Sequence, residues 1–280
     1  MSLPRSRTPE GQAGIDAILA APKGALIASD FDGTLSPIVA DPAEARAYPG
    51  AAQALLRLAP LVGTLAIITG RPAADAVALG GFGAVPGLIV LGHYGAERWD
   101  AGTVTAAPVP DGVAEARRLL PGVLASAEAL DGVHIEDKGT ALAVHTRLTG
   151  DPAHEVARLR WPLAVLADQT GLVMEPGRFV LELRPLGSDK GVALRALFGE
   201  RFADSVLFCG DDLGDLAAFA AVRSLRAHGI PGCAVASASP EAPEVSEAAD
   251  LVVNGPAGVV ALLTALAGAL EEARGSLPGS

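Results

Sequence analysis

The chain has 280 residues, half of them hydrophobic but only 4% aromatic, and a formal net charge of −11. That acidic excess opposes non-specific binding to nucleic acid or to an anionic membrane, because phosphates would be repelled across most of the surface. Two cysteines, Cys209 and Cys233, are too few for a disulfide framework and have no partner at metal-ligand spacing, so both read as small buried hydrophobes.

In chain order, residues 1–11 are polar and carry no signal-peptide core, and the apolar runs are interrupted by Gly or Pro before membrane-spanning length. A soluble, cytoplasmic, monomeric protein with frayed tails is the expectation. Ala25–Ser29, Thr64–Ile68 and Leu88–Leu91 are short apolar runs, each ending in a polar or glycine-rich turn and separated by helical segments, which is the βαβ pattern of a parallel sheet. Between residues 133 and 183 the texture changes. Val133–Lys138, Ala141–His145, Leu172–Glu175 and Phe179–Leu183 read as strands that alternate apolar with polar, so their sheet is wet on one face. A helix over Pro152–Asp168 separates the strand pairs. The βαβ grammar then returns, with a helix over Asp189–Phe198, a strand Ser205–Cys209, a helix from about Leu213, and strands Cys233–Ala236 and Asp250–Val253. The expected fold is α/β, a parallel-sheet core in two halves (1–105 and 186–280) with an inserted α+β domain (106–185).

Two acidic clusters follow apolar strands. Asp30 and Asp32 lie in Ser29-Asp30-Phe31-Asp32-Gly33-Thr34-Leu35-Ser36, and Asp211, Asp212 and Asp215 in Gly210-Asp211-Asp212-Leu213-Gly214-Asp215. Strand ends are where open α/β sheets place ligands, although a bare Asp-x-Asp also serves as a capped turn. If the clusters converge, each close like-charged pair costs roughly 1 to 4 kcal/mol. A divalent cation with a taste for oxygen, Mg2+, is the natural neutraliser. Thr69-Gly70-Arg71 follows the second strand and Lys190 opens a helix. A Thr hydroxyl with neighbouring amides can hold phosphate oxygens, and an ammonium can stabilise developing charge. Taken singly, Thr69 is also a helix cap and Lys190 a surface charge.

These four motifs, in this order, resemble those of the haloacid dehalogenase superfamily, whose core is Rossmann-like. The resemblance implies that Asp30 attacks phosphorus, that Asp32 serves as acid and then base, and that Thr69 and Lys190 hold the phosphoryl group with Gly70 and Arg71. It also implies Mg2+ held by Asp30, the main-chain carbonyl of Asp32, and Asp211, with Asp212 and Asp215 in support. A glycine-rich dinucleotide turn is absent from the first strand's end, where Asp30-Phe31-Asp32-Gly33 stands instead.

Further segments narrow the resemblance to the trehalose-6-phosphate phosphatase family: Gly92-His93-Tyr94-Gly95-Ala96-Glu97, Glu136-Asp137-Lys138-Gly139, Ala141 to Arg147, and Pro176 to Pro185. By that resemblance Glu136, Lys138 and Glu182 contact the sugar, with His145, Arg147 and Arg178 as weaker candidates. His93, Tyr94 and Glu97 are assigned either to substrate contact or to a structural turn. Spacing alone reads Glu136 and Lys138 as two residues on one strand face, equally an exposed ion-pair site. The implied activity is Mg2+-dependent hydrolysis of trehalose 6-phosphate. Another sugar phosphate such as sucrose 6-phosphate, or a non-catalytic sugar-phosphate sensor, is the alternative. Two departures bear on this, since Gly214-Asp215-Leu216 stands where the family has Thr-Asp-Glu, and Tyr94 interrupts the usual His-Gly.

Overall fold

Five strands, β1 (Ala25–Ser29), β2 (Thr64–Ile68), β3 (Leu88–Gly92), and two near the other end of the chain, Ser205–Gly210 and Gly232–Ser237, are buried at every position. Their residues divide by parity between two cores. Ile27, Leu65, Ile67, Val90, Leu207, Cys209, Cys233 and Val235 face one, and Leu26, Ala28, Ala66, Ile68, Ile89, Val206, Phe208 and Ala234 face the other. A strand covered on both faces has no polar side to show, which is why these segments are continuous apolar runs rather than alternating ones.

The computed structural model describes residues 3–177, 179–239 and 242–275. It separates into two compact units, Met1–Thr105 with Asp189–Ser280, and Ala106–Ser188. In the larger unit β4 (Glu97–Asp100) and β5 (Thr103–Ala106) extend the sheet at one edge. The smaller unit carries β6 (His134–Asp137), β7 (Leu142–His145), β8 (Leu172–Gly177) and β9 (Val180–Pro185). The later strands of the large unit are β10 (Ser205–Gly210), β11 (Gly232–Ser237) and β12 (Leu251–Val253). Its sheet runs β12-β11-β10-β1-β2-β3-β4-β5, parallel from β12 to β3, with β4 antiparallel to β3. Strand β10 therefore lies directly beside β1, with Ser29 opposite Cys209.

One face is covered by α1 (Pro9–Ala20), α2 (Ala51–Leu58), α3 (Ala73–Gly80) and the last helix, Gly255–Gly275. In the small unit α4 (Asp111–Ser126) and α5 (Pro152–Thr170) pack Val113, Leu120, Leu159 and Leu163 on Leu142, Val144, Leu181 and Leu183. The other side chains of that four-stranded antiparallel sheet, ordered β6-β7-β9-β8, form a polar face. Helices α6 (Lys190–Glu200), α7 (Leu216–Ala227) and α8 (Pro243–Ala248) cover the second face of the large sheet, and the last helix is α9.

The structure corrects two expectations. From Arg7 onward the N-terminal stretch is tied down rather than frayed, the Arg7 amide donating to the Asp250 carbonyl and α1 following, with Thr8 accepting from the Gly11 amide and with Ile15 and Ile18 buried; residues 1–2 and the chain beyond residue 275 lie outside the described residues. Helix α9 is long and apolar enough to cross a membrane by length and composition, and the glycines within it do not end it. Its Val259, Leu262, Leu263, Leu266 and Leu270 instead pack into the core beside α2. Strand β5 lies at the expected boundary between the units and is followed by α4.

Candidate active site

The C-terminal ends of three neighbouring strands carry the candidate residues of the large unit. Asp30 follows β1, Thr69 follows β2 and Asp211 follows β10. The backbone continues the ladder one step past β1, where the Asp30 N–H donates to the Cys209 carbonyl at 2.8 Å. The chain then turns sharply at Gly33, φ 73°, a conformation that favours glycine. Glycine is required there twice over, since a Cβ at Gly33 would fall 1.9 Å from Asp211 Oδ2.

Oxygens of Asp30, Asp211 and Asp215 lie within 4.8 Å of one another, and all three residues are buried. Lys190, at the start of α6 and only 4% exposed, reaches into this cluster. Its Nζ is 3.0 Å from Asp30 Oδ2, 2.8 Å from Asp215 Oδ1 and 3.7 Å from Asp212 Oδ1. Thr34 Oγ1 donates to Asp211 Oδ1 at 3.0 Å. The amides of Asp211 and Asp212 donate to Asp215 Oδ2 at 2.9 and 3.2 Å, and the Asp215 amide returns a bond to Asp212 Oδ1 at 3.2 Å. This reciprocal cap folds the acidic turn back on itself and brings the Asp215 carboxylate inward.

Electrostatics follow from that crowding. Burial pushes the Asp30 carboxyl well above the usual carboxylate range; Lys190 opposes the rise while Asp215, Asp212 and Asp211 reinforce it. Burial, with Asp215 and Asp212 beside it, pushes Asp211 up to about 7. Asp215 is pushed by burial up to about 6 against the pull of Lys190. At Asp212, on the rim, lost hydration is outweighed by Lys190 and by hydrogen bonds with Asp215 and Gly214, and its pKa falls. For Lys190 the loss of hydration is overcome by Asp215, Asp30 and Asp212, so the ammonium is held charged. One ammonium against this many buried carboxylates leaves negative charge uncompensated. An all-oxygen donor set of that kind fits a hard divalent cation.

Asp32 stands apart from the trio. Its carboxylate forms a bidentate pair with Arg71, Nε to Oδ2 at 2.6 Å and Nη2 to Oδ1 at 2.7 Å, and Arg71 Nη1 also donates to the Pro42 carbonyl at 2.8 Å. Buried Thr69 accepts the Arg71 amide on Oγ1 at 3.2 Å, and so keeps its own proton to give. Gly70 lies under the Tyr94 phenol.

Glu136, Lys138, Glu182 and His145 lie in the small unit, where Glu136, Glu182 and His145 stand on the polar face of its sheet. Cross-strand register puts Glu136, Ala143 and Glu182 in one row, with the small Ala143 between two acids. Lys138 Nζ is 2.5 Å from Glu182 Oε2, and His145 Nε2 is 2.8 Å from Glu136 Oε2. Glu182 is buried, and its second oxygen, Oε1, has no hydrogen-bond partner among the described residues. A buried acceptor left in that state is costly, and a hydroxyl or amide donor from a bound molecule would relieve it. His134 stacks on His145 at 4.7 Å between ring centroids. Arg147 is exposed in the turn after β7, and Arg178 lies outside the described residues.

With this geometry in place, the comparisons with known proteins can be weighed. The family model described as trehalose-phosphatase matches residues 28–254, a span that includes both acidic clusters and the whole small unit. The chain belongs to the trehalose-phosphatase family. It is 35% identical over 224 residues to a trehalose-phosphate phosphatase of Mycobacterium leprae, covering 72% of this chain and 48% of that one. To the trehalose-6-phosphate phosphatase of Escherichia coli it is 32% identical over 201 residues, covering 70% and 73%. The chain thus matches about half the length of the mycobacterial relative and most of the enterobacterial one. Among solved structures, the C-terminal domain of Candida albicans trehalose-6-phosphate phosphatase superposes with a TM-score of 0.72 at 22% identity, over 96% of this chain and 99% of that one. A haloacid dehalogenase-like hydrolase from Bacteroides thetaiotaomicron superposes with a TM-score of 0.63 at 16% identity, over 85% and 98%. The fold is therefore that of the haloacid dehalogenase hydrolases, an α/β core together with a separate small unit built on a four-stranded antiparallel sheet.

Proposed function

We propose that this chain hydrolyses trehalose 6-phosphate to trehalose and phosphate, with Mg2+ as cofactor and an aspartyl phosphate on Asp30 as intermediate. The observation that carries this reading is Asp30 itself, a buried carboxylate at the end of β1 held 3.0 Å from a buried ammonium and clustered with two further carboxylates. Asp30, the main-chain carbonyl of Asp32, and Asp211 would hold Mg2+, with Asp215 behind them. When bound, the cation neutralises phosphate charge and supplies the positive charge that keeps these carboxylates ionised.

Asp30 attacks phosphorus without needing a base, because it is already a carboxylate once its surroundings are neutralised. Lys190 fixes the attacking oxygen and meets charge on the phosphoryl group. The Thr69 hydroxyl and the neighbouring amides hold phosphate oxygens. Asp32 gives its proton to the leaving sugar oxygen and then takes one from the water that opens the aspartyl phosphate. The Arg71 guanidinium, bonded to both Asp32 oxygens, orients that carboxyl and must yield one of them for the proton to be carried. We assign sugar recognition to Glu136, Lys138 and Glu182, which offer acceptors and a donor at fixed places on one sheet face.

Release of inorganic phosphate from trehalose 6-phosphate, measured with Mg2+ and with EDTA, tests the proposal. Expected is turnover with Mg2+ and none in EDTA. Faster turnover of sucrose 6-phosphate would reject the substrate, and binding without turnover of any sugar phosphate would reject the enzyme.

A further inference from the structure

Between β3 and β4 two consecutive residues other than glycine, His93 at φ 47° and Tyr94 at φ 58°, adopt the left-handed conformation. For a bulky aromatic residue this is an outlier, and such strain persists only where the surroundings impose it. Here they do so through the phosphate turn. The Tyr94 amide donates to the Thr69 carbonyl and the His93 amide to the Arg71 carbonyl, both at 3.0 Å, so the corner is tied to the two residues that flank Gly70. A third tie comes from Glu97, whose Oε2 accepts the Ala73 amide at 2.9 Å and whose Oε1 lies 3.5 Å from His93 Nδ1. The side chain that this strained backbone delivers lies against Gly70, where a Cβ would stand 2.8 Å from the Tyr94 hydroxyl oxygen and 3.1 Å from Cζ. Asparagine or glycine would fill position 94 with less strain, and neither would reach the turn.

We propose that Tyr94 is a positioning residue for phosphoryl binding, its phenol ring bracing Gly70 so that the Thr69 hydroxyl and the adjacent amides keep the attitude that receives phosphate oxygens. This rests on the phosphatase reading. A purely structural turn and a brace differ in what relief of strain does. If the corner only connects two strands, Tyr94→Asn and Tyr94→Gly improve the protein and leave catalysis alone. If the ring braces the turn, the same variants gain stability and lose rate.

The test compares Tyr94→Asn, Tyr94→Gly and Tyr94→Phe with wild type by thermal melting and by steady-state kinetics on trehalose 6-phosphate and p-nitrophenyl phosphate, with Mg2+. The second ester is included because the turn handles the phosphoryl group whatever the alcohol, so the comparison stands even if the sugar assignment fails. The affinity for inorganic phosphate, read by calorimetry, needs no turnover at all. Expected for the Asn and Gly variants are melting temperatures at or above wild type, kcat/KM about tenfold or more lower on both esters, and weaker phosphate binding. Tyr94→Phe, which keeps the ring, should stay within about threefold of wild type. Adding Gly70→Ala to Tyr94→Gly should cost less than the product of the single effects, because the added methyl then meets no phenol. Unchanged kinetics and phosphate binding in the Asn and Gly variants, a loss confined to trehalose 6-phosphate, or a full loss in Tyr94→Phe would each overturn the proposal.

Discussion

The two units treat charge in opposite ways. In the large one, four carboxylates and one ammonium meet at the ends of strands whose both faces are dry; burial, and after it the neighbouring carboxylates, raises the pKa of Asp30, Asp211 and Asp215 against the pull of Lys190, while that of Asp212 falls. In the small one, polar side chains on one face of a sheet pair with one another, Lys138 with Glu182, His145 with Glu136, Arg184 with Glu175. Frustrated charge in a low-dielectric setting is worth several kcal/mol and suits bond-making. Pairing at a wet surface, as between Arg184 and the exposed Glu175, is worth little, about 1 kcal/mol or less per pair, and exchanges readily for a ligand's hydroxyls, whereas Lys138 meets a buried carboxylate at Glu182.

The largest effect that could break this division is at Asp30. Asp30→Asn should lower phosphate release by about 10⁴-fold or more. It should not lower the melting temperature in EDTA, because it removes a buried like charge; retained turnover would end the nucleophile assignment. Next comes Lys190→Met, expected to cut turnover by about 10³-fold and, in EDTA, to destabilise the fold by about 3 to 5 kcal/mol through unpaired buried carboxylates. Chemical denaturation with and without Mg2+ measures this, and a variant as stable as wild type in EDTA would contradict it.

Glu182→Gln and Lys138→Ala test the other unit. Each should raise KM for trehalose 6-phosphate by about 10- to 100-fold, equivalent to one or two lost hydrogen bonds, and leave p-nitrophenyl phosphate turnover intact. An equal loss on both esters would erase the distinction between the units.

The mildest effect concerns pH. Asp211 at about 7 and Asp215 at about 6 both lie above the ordinary 3.8. Between about pH 4 and 7 the metal-free native chain therefore holds protons that the unfolded chain has released, and its stability falls as pH rises through that window. Mg2+, which binds the ionised carboxylates, should flatten the slope. A melting temperature in EDTA that climbs from pH 5 to 7.5 would contradict the carboxylate cluster.

How much of this could be read from the residues depends on how local its cause is. The buried strands and the acidic turns after β1 and β10 are legible because each is a run of neighbours, and the parity of two cores explains their unbroken apolarity. The β4–β5 hairpin is hard to read although Ala101 and Gly102, both at positive φ, form its two-residue turn, because β5 is exposed at every position and shows no apolar face. Helix α4 carries Val113, Ala116, Leu120 and Leu124 at helical spacing, a signal masked by Gly112 and Pro121. The pairing of Arg71 with Asp32 and the inward swing of Asp215 lie beyond such reading. The first joins side chains from different strands, and the second needs the reciprocal cap that bends the acidic turn.

The adjacency of β1 and β10 has a consequence for how the molecule is made. During synthesis the chain emerges with β1 to β5 first, then the whole of the small unit, and only then β10 to β12. The small unit is contiguous and free to close its own core early, whereas β1 must wait for a neighbour about 180 residues away, a separation that makes pairing slow. Until that neighbour arrives, one edge of an apolar strand stands open beside Asp30, and this is the interval in which the nascent chain is most exposed to misassembly.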